Sequence, residues 1–581
     1  MSSTQHEIVI AIDFGASLTK VALANSFHKT IACDFPSHPP PSVKIPSVLY
    51  VHPDGSKRIG RAPPSGDGWV AIKWFKLLLL HEDDWPTRAK DSLLLGKSME
   101  AVRRLRLTPL EVVADFFSEL WPEIQAFASE NLVAHVNGNL LSLNLHLVLT
   151  VPACWPNDAM ARMERAAKDA GILEGSQSAT LTFMREQEVI IPGLLANNNR
   201  GSRELSDLKV PSSPSPVLGE EMLNSQQSED LVTVCDCGGL TIDASTYQVS
   251  ITGNRQHRLD ERVPGGSRLG GAIFLEDGFY KCLEDKICSI FGNKEASKEL
   301  TSQFWSKVAQ WWDQAGRATM LGCQESSIID LPYSLEFKDG SNVGDDAHQF
   351  ISFSGQEFVS IRQPVLASIV DLVQSQIREA CQALGGPPKF LILCGGMAMN
   401  SIISRELQEK LDAPIRIAVV RDDPDLLAEL TYRRTLVSRG AALQAQGGKH
   451  PDGNIIVRTT SHVTRESYGI RVGETQAVNW IIKEGTSLSP TKPQSFDVPS
   501  AAFKVRTTLS GPGLSLTLYR QGPSYQGVRT VCCLTWVKDD PIILPRDIVK
   551  LQVLHNTYHG ISVFLTHNGQ RIGPERVIVD Y

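Results

Sequence analysis

Two short segments of the chain combine an aspartate, glycine and small hydroxyl residues in the same order. They are residues 13–17 (DFGAS) and residues 236–241 (DCGGLT). Glycine permits a tight hairpin, and backbone N–H groups together with hydroxyls bind phosphate oxygens. Two aspartates suit hydrated Mg²⁺, which keeps several waters and takes few carboxylates. The segments together therefore predict a site for a phosphate-bearing ligand, with Asp13 and Asp236 beside the metal.

A third segment, residues 393–397 (LCGGM), leads an apolar run into a Gly-Gly turn. Because Gly395 and Gly396 have no side chains, a flat adenine or a ribose can lie close to their backbone. Each of the three segments also occurs in ordinary turns that bind nothing. The prediction of a ligand site therefore depends on all three being present in one chain.

The elements that must position these segments are indicated by apolar runs. Four short runs, rich in Leu, Ile and Val, are bounded by turn residues at 8–12, 145–151, 231–235 and 390–394. Continuous runs of this length are typical of strands buried on both faces of a sheet. Two of them lead into segments with apolar residues at helical spacing. This alternation predicts an α/β fold.

Composition narrows the possible classes of protein. The 581 residues carry 57 basic and 64 acidic side chains, a net charge of −7, so no basic field recruits nucleic-acid phosphates or anionic lipid. The 11 cysteines form no C-x-x-C pair, which favours free thiols in a reducing compartment. No signal-peptide pattern and no apolar stretch near ~20 residues occurs. We expect a cytoplasmic protein with no nucleic-acid or membrane partner.

Two changes of composition suggest how the chain is divided. Residues 197–230 are rich in Ser, Pro, Asn and Glu and poor in apolar side chains, which predicts a disordered insertion. A glycine-bearing break near residue 450 is followed by alternating apolar and polar residues. We therefore predict an α/β domain at 1–447, a linker at 448–460 and a β-rich domain at 461–581.

The order and spacing of these segments resemble the actin-like ATPase superfamily and, within it, the seventy-kilodalton heat-shock chaperones. The two hairpins resemble the family's phosphate-1 and phosphate-2 loops, and 391–397 resembles its adenosine motif. Further matching segments are 148–153 (VLTVPA), 157–159 (NDA), 185–188 (REQE), 263–271 (VPGGSRLGG) and 439–445 (RGAALQA). The resemblance covers roughly residues 7–447 and is greatest to the divergent branch around heat shock 70 kDa protein 12.

This resemblance implies a two-lobed actin-like, ribonuclease H-like nucleotide domain, followed by a truncated substrate-binding-like β domain. Glu186 falls on the glutamate beside the attacking water, and Asp243 on the aspartate that helps to orient metal and water. Lys76, or alternatively Lys73, falls on the lysine near the γ-phosphate. Asp13 and Asp236 are implied to hold Mg²⁺. The positions implied to bind ATP or ADP are Asp13, Gly15, Ala16, Ser17, Lys20, Asp236, Gly238, Gly239, Thr241, Gly266, Asp313, Arg317, Gly395, Gly396 and Met397.

Several positions depart from the chaperone pattern. Ala16 replaces a threonine, Leu240 replaces a glycine, Gly316 replaces an adenine-side lysine and Met399 replaces an arginine. Lys20 is additional to the chaperone pattern and falls where actin has a phosphate-contacting lysine. A leucine at 240 predicts poorer backbone approach to phosphate and slow hydrolysis, so Leu240→Gly is expected to raise the rate.

The sequence thus predicts an ATP-binding, slowly ATP-hydrolysing, chaperone-like protein with ATP or ADP and Mg²⁺ as cofactors. Unfolded or specific client proteins and co-chaperones are the partners that the resemblance implies. One alternative is a nucleotide-sensing scaffold with little or no turnover, which Ala16 and Leu240 favour. Another is a carbohydrate kinase of the same superfamily, against which the segments at 151–153 and 440–442 argue.

Overall fold

The structure of the chain is a computed structural model that describes most residues in separate segments. The described segments are 7–25, 28–35, 42–60, 68–82, 85, 87–133, 144–152, 155, 157–174, 178–195, 230–252, 256–293, 295–332, 335, 351–412, 414–420, 435–446, 457–464, 467–473, 477–489, 492–508, 511–521, 528–537, 549–556, 560–567 and 570–578. The predicted insertion lies outside them except for Asp230, and the predicted linker lies outside them except for 457–460.

The first part of the chain builds a mixed sheet around the first predicted hairpin. The strands in this part of the chain are β1 (Glu7–Phe14), β2 (Leu18–Asn25), β3 (His28–Ala32), β4 (Ile45–Pro46), β5 (Val48–Val51), β6 (Lys57–Ile59), β7 (Val70–Lys73), β8 (Asn144–Val151) and β9 (Ser178–Arg185). The sheet order is β3-β2-β1-β8-β9, with β4 attached to β2. Strands β5, β6 and β7 form a separate sheet.

Five helices belong to this first part of the chain. They are α1 (Thr87–Lys90), α2 (Leu93–Arg104), α3 (Pro109–Ala128), α4 (Asn157–Asp169) and α5 (Ile190–Leu195). Helix α3 begins with a capping box, in which Thr108 and Glu111 satisfy each other's backbone N–H groups. Its Phe116 and Phe117 rings lie 5.6 and 5.0 Å from the ring of Phe14. This packing fixes the end of β1, where Asp13 lies.

The middle of the chain builds a second mixed sheet. Its strands, with a small hairpin beside it, are β10 (Asp230–Cys237), β11 (Thr241–Thr252), β12 (Gln256–Leu269), β13 (Ile328–Asp330), β14 (Ser352–Ser354), β15 (Phe390–Cys394) and β16 (Arg416–Val419). The helices in this part of the chain are α6 (Ile273–Phe291), α7 (Ser302–Trp311), α8 (Arg317–Gly322), α9 (Gly355–Leu384) and α10 (Ser401–Lys410). A further helix, α11 (Leu436–Ala445), packs on β1, β2, β3 and β8 of the first sheet. The main strand order is β16-β15-β10-β11-β12, and β13 pairs only with β14.

The two sheets repeat one strand plan. Strand β1 is antiparallel to β2 and parallel to β8, and β10 is antiparallel to β11 and parallel to β15 in the same way. Within the hairpins, Asp13 pairs in register with Lys20, and Asp236 pairs with Asp243. All four predicted apolar runs lie in these central strands. The mixed α/β architecture predicted from the sequence is therefore confirmed, and the two aspartates occupy equivalent places.

The end of the chain is made of strands, as its alternating pattern predicts. They are β17 (Val457–Val463), β18 (Ser467–Ile470), β19 (Asn479–Ile482), β20 (Ser487–Leu488), β21 (Gln494–Val498), β22 (Lys504–Thr508), β23 (Gly511–Gln521), β24 (Arg529–Val537), β25 (Val549–Asn556), β26 (Gly560–His567) and β27 (Gln570–Ile578). One sheet has the order β19-β18-β23-β22 with β24 beside β23, and another has the order β21-β25-β26-β27.

Strand β17 joins the second sheet rather than the sheets that follow it. It pairs in parallel with β12, so the described part of the predicted linker, 457–460, is already strand. The Val463 N–H donates to Glu261 Oε2 at 2.8 Å. Buried His462 places Nδ1 3.3 Å from Glu188 Oε1, and Arg185 Nη1 donates to the same oxygen at 3.3 Å. The contact between His462 and Glu188 therefore connects β17 to the turn that follows β9.

Two general expectations can be compared with the described residues. The cysteines whose side chains the structure describes are free thiols, as the spacing predicts. Of the helices that the structure describes, none combines the length and apolar character needed to cross a membrane.

Candidate functional site

The loop of the first hairpin, between β1 and β2, is held in a tight turn by Ser47. The Ser47 hydroxyl donates to the Gly15 carbonyl oxygen at 2.6 Å, and the Ser47 N–H donates to the Ser17 carbonyl oxygen at 3.0 Å. Gly15 has no room for a side chain, because a Cβ atom there would overlap the carbonyl oxygen of Leu18. Ser47 is a supporting residue that the sequence analysis missed, since no local pattern links it to the loop.

Asp13, at the end of β1, has both carboxylate oxygens engaged by neighbouring side chains. The Lys20 ammonium lies 2.7 Å from Oδ2, and the Thr150 hydroxyl donates to Oδ1 at 3.2 Å. Burial alone would lower the pKa of Lys20, but the adjacent charge of Asp13 and its hydrogen bond outweigh burial and raise it. Thr150 was not predicted as a site residue, although it lies in one of the segments that carry the family resemblance.

The second hairpin, between β10 and β11, is closed by the Gly238 N–H, which donates to the Thr241 carbonyl oxygen at 3.0 Å. The N–H groups of Gly270 and Gly271 both donate to the Leu240 carbonyl oxygen, at 3.1 and 2.9 Å. The turn between β12 and α6 therefore lies directly on the hairpin loop and sets its shape.

Gly271 is the residue of this contact that has the least room for a side chain. A Cβ atom there would lie 2.6 Å from both the Gly239 carbonyl oxygen and the Leu240 nitrogen. We expect Gly271→Ala to displace the loop, to lower the free energy of unfolding by about 1–3 kcal/mol and to weaken nucleotide binding about tenfold or more. Thermal unfolding and titration calorimetry measure the two effects.

Gly270→Ala is the matched control for this prediction. A Cβ atom at Gly270 would meet only side chains, at 3.1 Å from Ile242 Cδ1 and 3.4 Å from Ser368 Cβ. Those side chains can shift, so nucleotide binding should change little. Equal losses of affinity in both variants would show that the loop contact is not what matters.

Two residues that depart from the family pattern belong to the hydrophobic core. Leu240 and Ala16 are each only 4% exposed, so their side chains pack inward rather than into the space between the loops. Replacing Leu240 by glycine would leave a cavity, which typically destabilises a core by several kcal/mol. The structure therefore replaces the expected gain of rate from Leu240→Gly by an expected loss of stability.

The Gly-Gly turn after β15 packs against the second hairpin. Gly395 has a φ of +88°, and a Cβ atom there would overlap Asp236 Oδ1. The Met397 N–H donates to the Cys237 carbonyl oxygen at 3.2 Å, and the Met397 side chain is buried in the core. A Cβ atom at Gly396 would meet open space. Of these three predicted ligand contacts, Gly396 is the one that presents open surface.

The loops of the two hairpins face each other at close range. A Cβ atom at Gly239 would lie 2.7 Å from the Ser17 hydroxyl oxygen and 3.7 Å from the Ser17 nitrogen. The charge of Asp13 also reaches Asp236 and raises its pKa. The structure therefore brings the two predicted phosphate loops, which are more than 200 positions apart in the sequence, into one site.

Glu186 and Lys76 form a buried ion pair at this site. Lys76 Nζ donates to Glu186 Oε1 at 3.0 Å, and only 2% of the Lys76 side chain is exposed. The ammonium also lies 5.1 Å from a ring centroid of Trp155 and 5.8 Å from that of Phe14, where cation–π attraction is favourable. Of the two candidate lysines, Lys76 is therefore the one paired with the predicted water-orienting glutamate.

A strained residue separates the two candidate lysines. Buried Trp74 has φ 58° and ψ 20°, a left-handed conformation that bulky residues rarely adopt. It ends β7 and begins the turn that carries Lys76. Lys73, on the other side of Trp74, lies 3.9 Å from Glu276 in α6. The strained turn thus directs the lysines to different carboxylates.

Burial and crowding of carboxylates dominate the electrostatics between the hairpins. Burial, followed by the charges of Glu186, Asp243 and Asp13, raises the pKa of Asp236 to about 8, against the opposing charge of Lys20. Burial likewise raises the pKa of Glu186 to about 7, although Lys76 opposes it. An additional positive charge between the hairpins would therefore stabilise the ionised forms of these carboxylates.

A hydrated divalent cation fits this arrangement. No three His, Cys, Asp or Glu side chains of the described residues are grouped as ligands for a metal ion. Asp236 Oδ1 is buried and has no hydrogen-bond partner within the described part of the chain. An orphaned buried acceptor is costly, and Mg²⁺ bound largely through its own waters would satisfy it with few carboxylates.

The predicted adenine-side residues lie around a second buried carboxylate, Glu276. Burial raises the pKa of Glu276, Lys73 and Arg317 oppose the rise, and Asp313 adds to it. Asp313 also contributes, after burial, to raising the pKa of Tyr50 to about 12. Asp313 and Arg317 therefore both lie near Glu276, and their contact with adenine stays a prediction. Glu276 and Tyr50 are neighbours that were not predicted from the sequence.

Gly266 is engaged by the long helix α9. Its N–H donates to Gln376 Oε1 at 3.2 Å, and Gln376 Nε2 donates to the Pro264 carbonyl oxygen at 3.1 Å. A Cβ atom at Gly266 would lie 2.8 Å from Leu372 Cδ1. Packing therefore accounts for this glycine, and its contact with phosphate or ribose stays a prediction.

Comparison with known proteins agrees with the resemblance predicted from the motifs. Heat shock 70 kDa protein 12A of Mus musculus is 22% identical over 567 aligned positions, which cover 84% of this chain and 80% of that protein. Heat shock 70 kDa protein 12B of Homo sapiens is 22% identical over 483 positions, which cover 71% of this chain and 66% of that protein. No protein-family model matches the chain. The chain is therefore a divergent relative of heat shock 70 kDa proteins 12A and 12B.

Proposed function

We propose that this protein binds ATP and ADP with Mg²⁺ and hydrolyses ATP slowly, as a chaperone-like protein of the heat shock 70 kDa type. The observation that carries the proposal is the pair of equivalent hairpins whose loops face each other. Each has an aspartate at its strand end, and Ser17 of one loop meets Gly239 of the other. Opposed loops of this kind offer N–H and hydroxyl groups to phosphate oxygens from both sides.

The repeated strand plan supports the finer architectural proposal. A two-lobed actin-like, ribonuclease H-like domain at 1–447 would place one hairpin on each lobe and the nucleotide between them. We further propose a linker at 448–460 and a truncated substrate-binding-like β domain at 461–581. The alternation of strands from β18 to β27 supports the last of these assignments.

Each predicted residue then has a physical task in binding. The backbone N–H groups of residues 16, 17 and 239 and the hydroxyls of Ser17 and Thr241 would donate to phosphate oxygens, because the N–H groups of Gly15 and Gly238 already donate to backbone carbonyl oxygens. Lys20 would add a positive charge on the side of the first hairpin. Asp13 and Asp236 flank the place for Mg²⁺, which neutralises phosphate charge when bound. Asp313, Arg317, Gly395 and Gly396 would border the adenosine.

Hydrolysis depends on Glu186, Lys76 and Asp243. Phosphoryl transfer needs positioning and charge neutralisation more than covalent chemistry. Glu186 as a carboxylate would accept a hydrogen bond from the attacking water, and Asp243 would assist its orientation. Lys76 holds Glu186 in place at 3.0 Å and lends positive charge near the γ-phosphate.

A scaffold that senses nucleotide without useful turnover is the second candidate. The observation that favours it is the burial of Lys76, which is committed to Glu186 and to two aromatic rings. An ammonium so engaged has little freedom to follow a moving phosphoryl group. The resemblance to heat shock 70 kDa proteins 12A and 12B favours both of these proposals over a carbohydrate kinase.

Titration calorimetry of the purified full chain with ATP and ADP, in Mg²⁺ and in EDTA, tests binding. Single-turnover hydrolysis of bound ATP then separates the weak ATPase from the scaffold. Binding with no hydrolysis above the rate in buffer supports the scaffold. Binding of neither nucleotide in either buffer would remove the basis of the proposal. Client and co-chaperone binding and a cytoplasmic location belong to the same proposal and follow only from the family resemblance.

A further inference from the structure

We propose that the C-terminal end of helix α2 is a docking site for an acidic segment of a partner protein. Three arginines, Arg103, Arg104 and Arg106, lie within four consecutive positions at this end. Four positions at the rise of an α-helix extend over only about 5 Å, so the three charges form one patch. The proposal does not use the nucleotide site and is therefore independent of the proposed function.

The charges of this patch are not neutralised by neighbouring side chains. All three arginines are exposed, and within the described part of the chain none of them forms an ion pair or a side-chain hydrogen bond. Glu100, one helical turn before Arg104, is also exposed and forms no ion pair with it. Adjacent positive charges repel one another, so a carboxylate-bearing partner would lower the electrostatic energy of the patch.

The helix itself accounts for only part of this positive charge. The carbonyl groups at the C-terminus of a helix carry a partial negative charge equivalent to about half an electron, which favours arginine in the last turn. Arg103 and Arg104 occupy that turn and together already exceed this partial charge. Arg106 follows the cap residue Leu105 and adds a third charge that the end of the helix does not require.

Arg106 is held in a backbone conformation that suits glycine. Its φ of 56° lies in the left-handed region. The Arg106 N–H donates to the Arg103 carbonyl oxygen at 3.0 Å. The Leu107 N–H donates to the Val102 carbonyl oxygen, also at 3.0 Å. These two hydrogen bonds close many helices around a left-handed residue, which is usually glycine because a Cβ atom is strained there.

The strain at Arg106 is evidence that its side chain has a use outside the fold. Glycine at this position would keep both hydrogen bonds and relieve the strain, so arginine makes the turn less stable than it could be. A residue held in an unfavourable conformation is most often found where the side chain serves binding or catalysis. Arg106 is exposed, so its side chain is available to a partner.

The chemistry of the patch fits carboxylates on a protein segment. A guanidinium group presents its N–H donors in a planar fork that matches a carboxylate. Leu105 and Leu107 flank Arg106 and are only half-buried, so an apolar side chain of the partner can contact them between the ion pairs. The expected ligand is therefore a peptide segment in which Asp or Glu residues are interrupted by large apolar residues.

A long polyanion such as nucleic acid is a poorer match to this patch. Nucleic-acid affinity grows with the number of phosphates that the protein neutralises, and three arginines offer few such contacts. The whole chain carries a net charge of −7, which opposes a polyanion that extends beyond the patch. A short acidic segment contacts only the patch and avoids this repulsion.

Fluorescence anisotropy of the full chain with a short labelled peptide of glutamates interrupted by leucine tests the proposal. The peptide with glutamine in place of every glutamate is the control ligand. We expect the glutamate peptide to bind at low ionic strength and to bind more weakly as salt is added. Arg104→Glu should weaken binding about fivefold or more, because it removes an ion pair and adds repulsion. Arg405→Glu, which changes an exposed arginine on α10, alters the net charge equally and should leave binding within about twofold of wild type.

Arg106→Gly and Arg106→Ala separate the charge of this residue from its strain. Both variants remove the charge, so both should weaken binding of the glutamate peptide about two- to fivefold. Only glycine removes the strain, so hydrogen exchange of the amides at residues 102–107 should slow about two- to fivefold in Arg106→Gly and not in Arg106→Ala. An arginine that served only the turn would show slower exchange in Arg106→Gly without any loss of binding.

Three results would overturn the proposal. The first is that wild type does not bind the glutamate peptide, or binds the glutamine peptide equally well. The second is an equal loss in Arg104→Glu and Arg405→Glu, which would show that binding follows net charge and not the patch. The third is tighter binding of duplex DNA or anionic vesicles than of the peptide at the same ionic strength, which would exclude a protein segment as the preferred partner. Nucleotide affinity should be unchanged in every variant, so failure here leaves the proposed function intact.

Discussion

Glu186→Gln is expected to slow hydrolysis of bound ATP by about ten- to a hundredfold, equivalent to about 1.4–2.7 kcal/mol of barrier. Glutamine keeps the volume of the side chain but loses the charge that orients water, so nucleotide affinity should change by less than about threefold. Single-turnover hydrolysis with calorimetry on the same preparations measures both quantities.

Glu188→Gln is the matched comparison for Glu186→Gln. Glu188 lies in the same turn but pairs with Arg185 and His462 rather than with Lys76. Its replacement should lower stability more than turnover. If Glu188→Gln slows hydrolysis as much as Glu186→Gln, the effect belongs to the turn and not to the carboxylate. If Glu186→Gln hydrolyses ATP at the wild-type rate, the scaffold replaces the ATPase as the proposed function.

The pH dependence of turnover gives a second measure of the same residue. The pKa of Glu186 is raised to about 7, and the proposed role needs the ionised form. Turnover should therefore rise between about pH 6 and pH 8 in the wild type, and this rise should be absent in Glu186→Gln. A wild-type profile that is flat over this range would argue against Glu186 as the group that orients water.

Asp236→Asn should make the nucleotide-free protein more stable at pH 8. Because the pKa values of Asp236 and Glu186 are raised to about 8 and about 7, the folded state binds protons that the unfolded state releases near pH 4. Stability is therefore lost as pH rises through these values. Asparagine is neutral at every pH, so it removes part of this loss.

Thermal unfolding without metal or nucleotide measures this effect. The midpoint of Asp236→Asn at pH 8 should exceed that of wild type by about 1 °C, as expected for roughly 1 kcal/mol in a chain of 581 residues, and the gap should shrink towards pH 5. Asp169→Asn is the control, because Asp169 is an exposed residue on α4. A lower midpoint for Asp236→Asn at pH 8 would show that the carboxylate stabilises the folded protein despite its burial.

Local pattern was sufficient for the elements of this fold and for the loops of the site. The apolar runs became central strands, and the Asp-x-Gly segments became hairpin loops, because strand burial and glycine turns are decided within a few residues. What a side chain faces was harder to predict. Leu240 and Met397 lie in the core, which no count of residues along the chain reveals.

Side-chain contacts between residues far apart in the chain could not be predicted from the sequence. The contacts Thr150–Asp13 and Lys76–Glu186 join residues more than 100 positions apart, and they depend on how the sheet and its connecting turns pack. The choice between Lys73 and Lys76 likewise depends on the left-handed conformation of Trp74, a residue whose type gives no hint of it. Family resemblance supplied the candidates, and only the fold distinguishes among them.

The pairing of β17 with β12 has a consequence for synthesis of the chain. The first five strands of the second sheet lie within residues 230–420, and β17, from residues 457–463, pairs next to β12 and is followed in the sheet by β20. Until the ribosome has made β17, β12 has an unpaired edge. Unpaired strand edges are sites at which other chains can pair wrongly. In the folded protein, buried Glu261 accepts a hydrogen bond from the Val463 N–H, and buried Glu188 contacts His462. Both contacts are missing until residues 462 and 463 have been made. We therefore expect a nascent chain or a fragment ending at residue 447 to need protection by chaperones more than the full chain does.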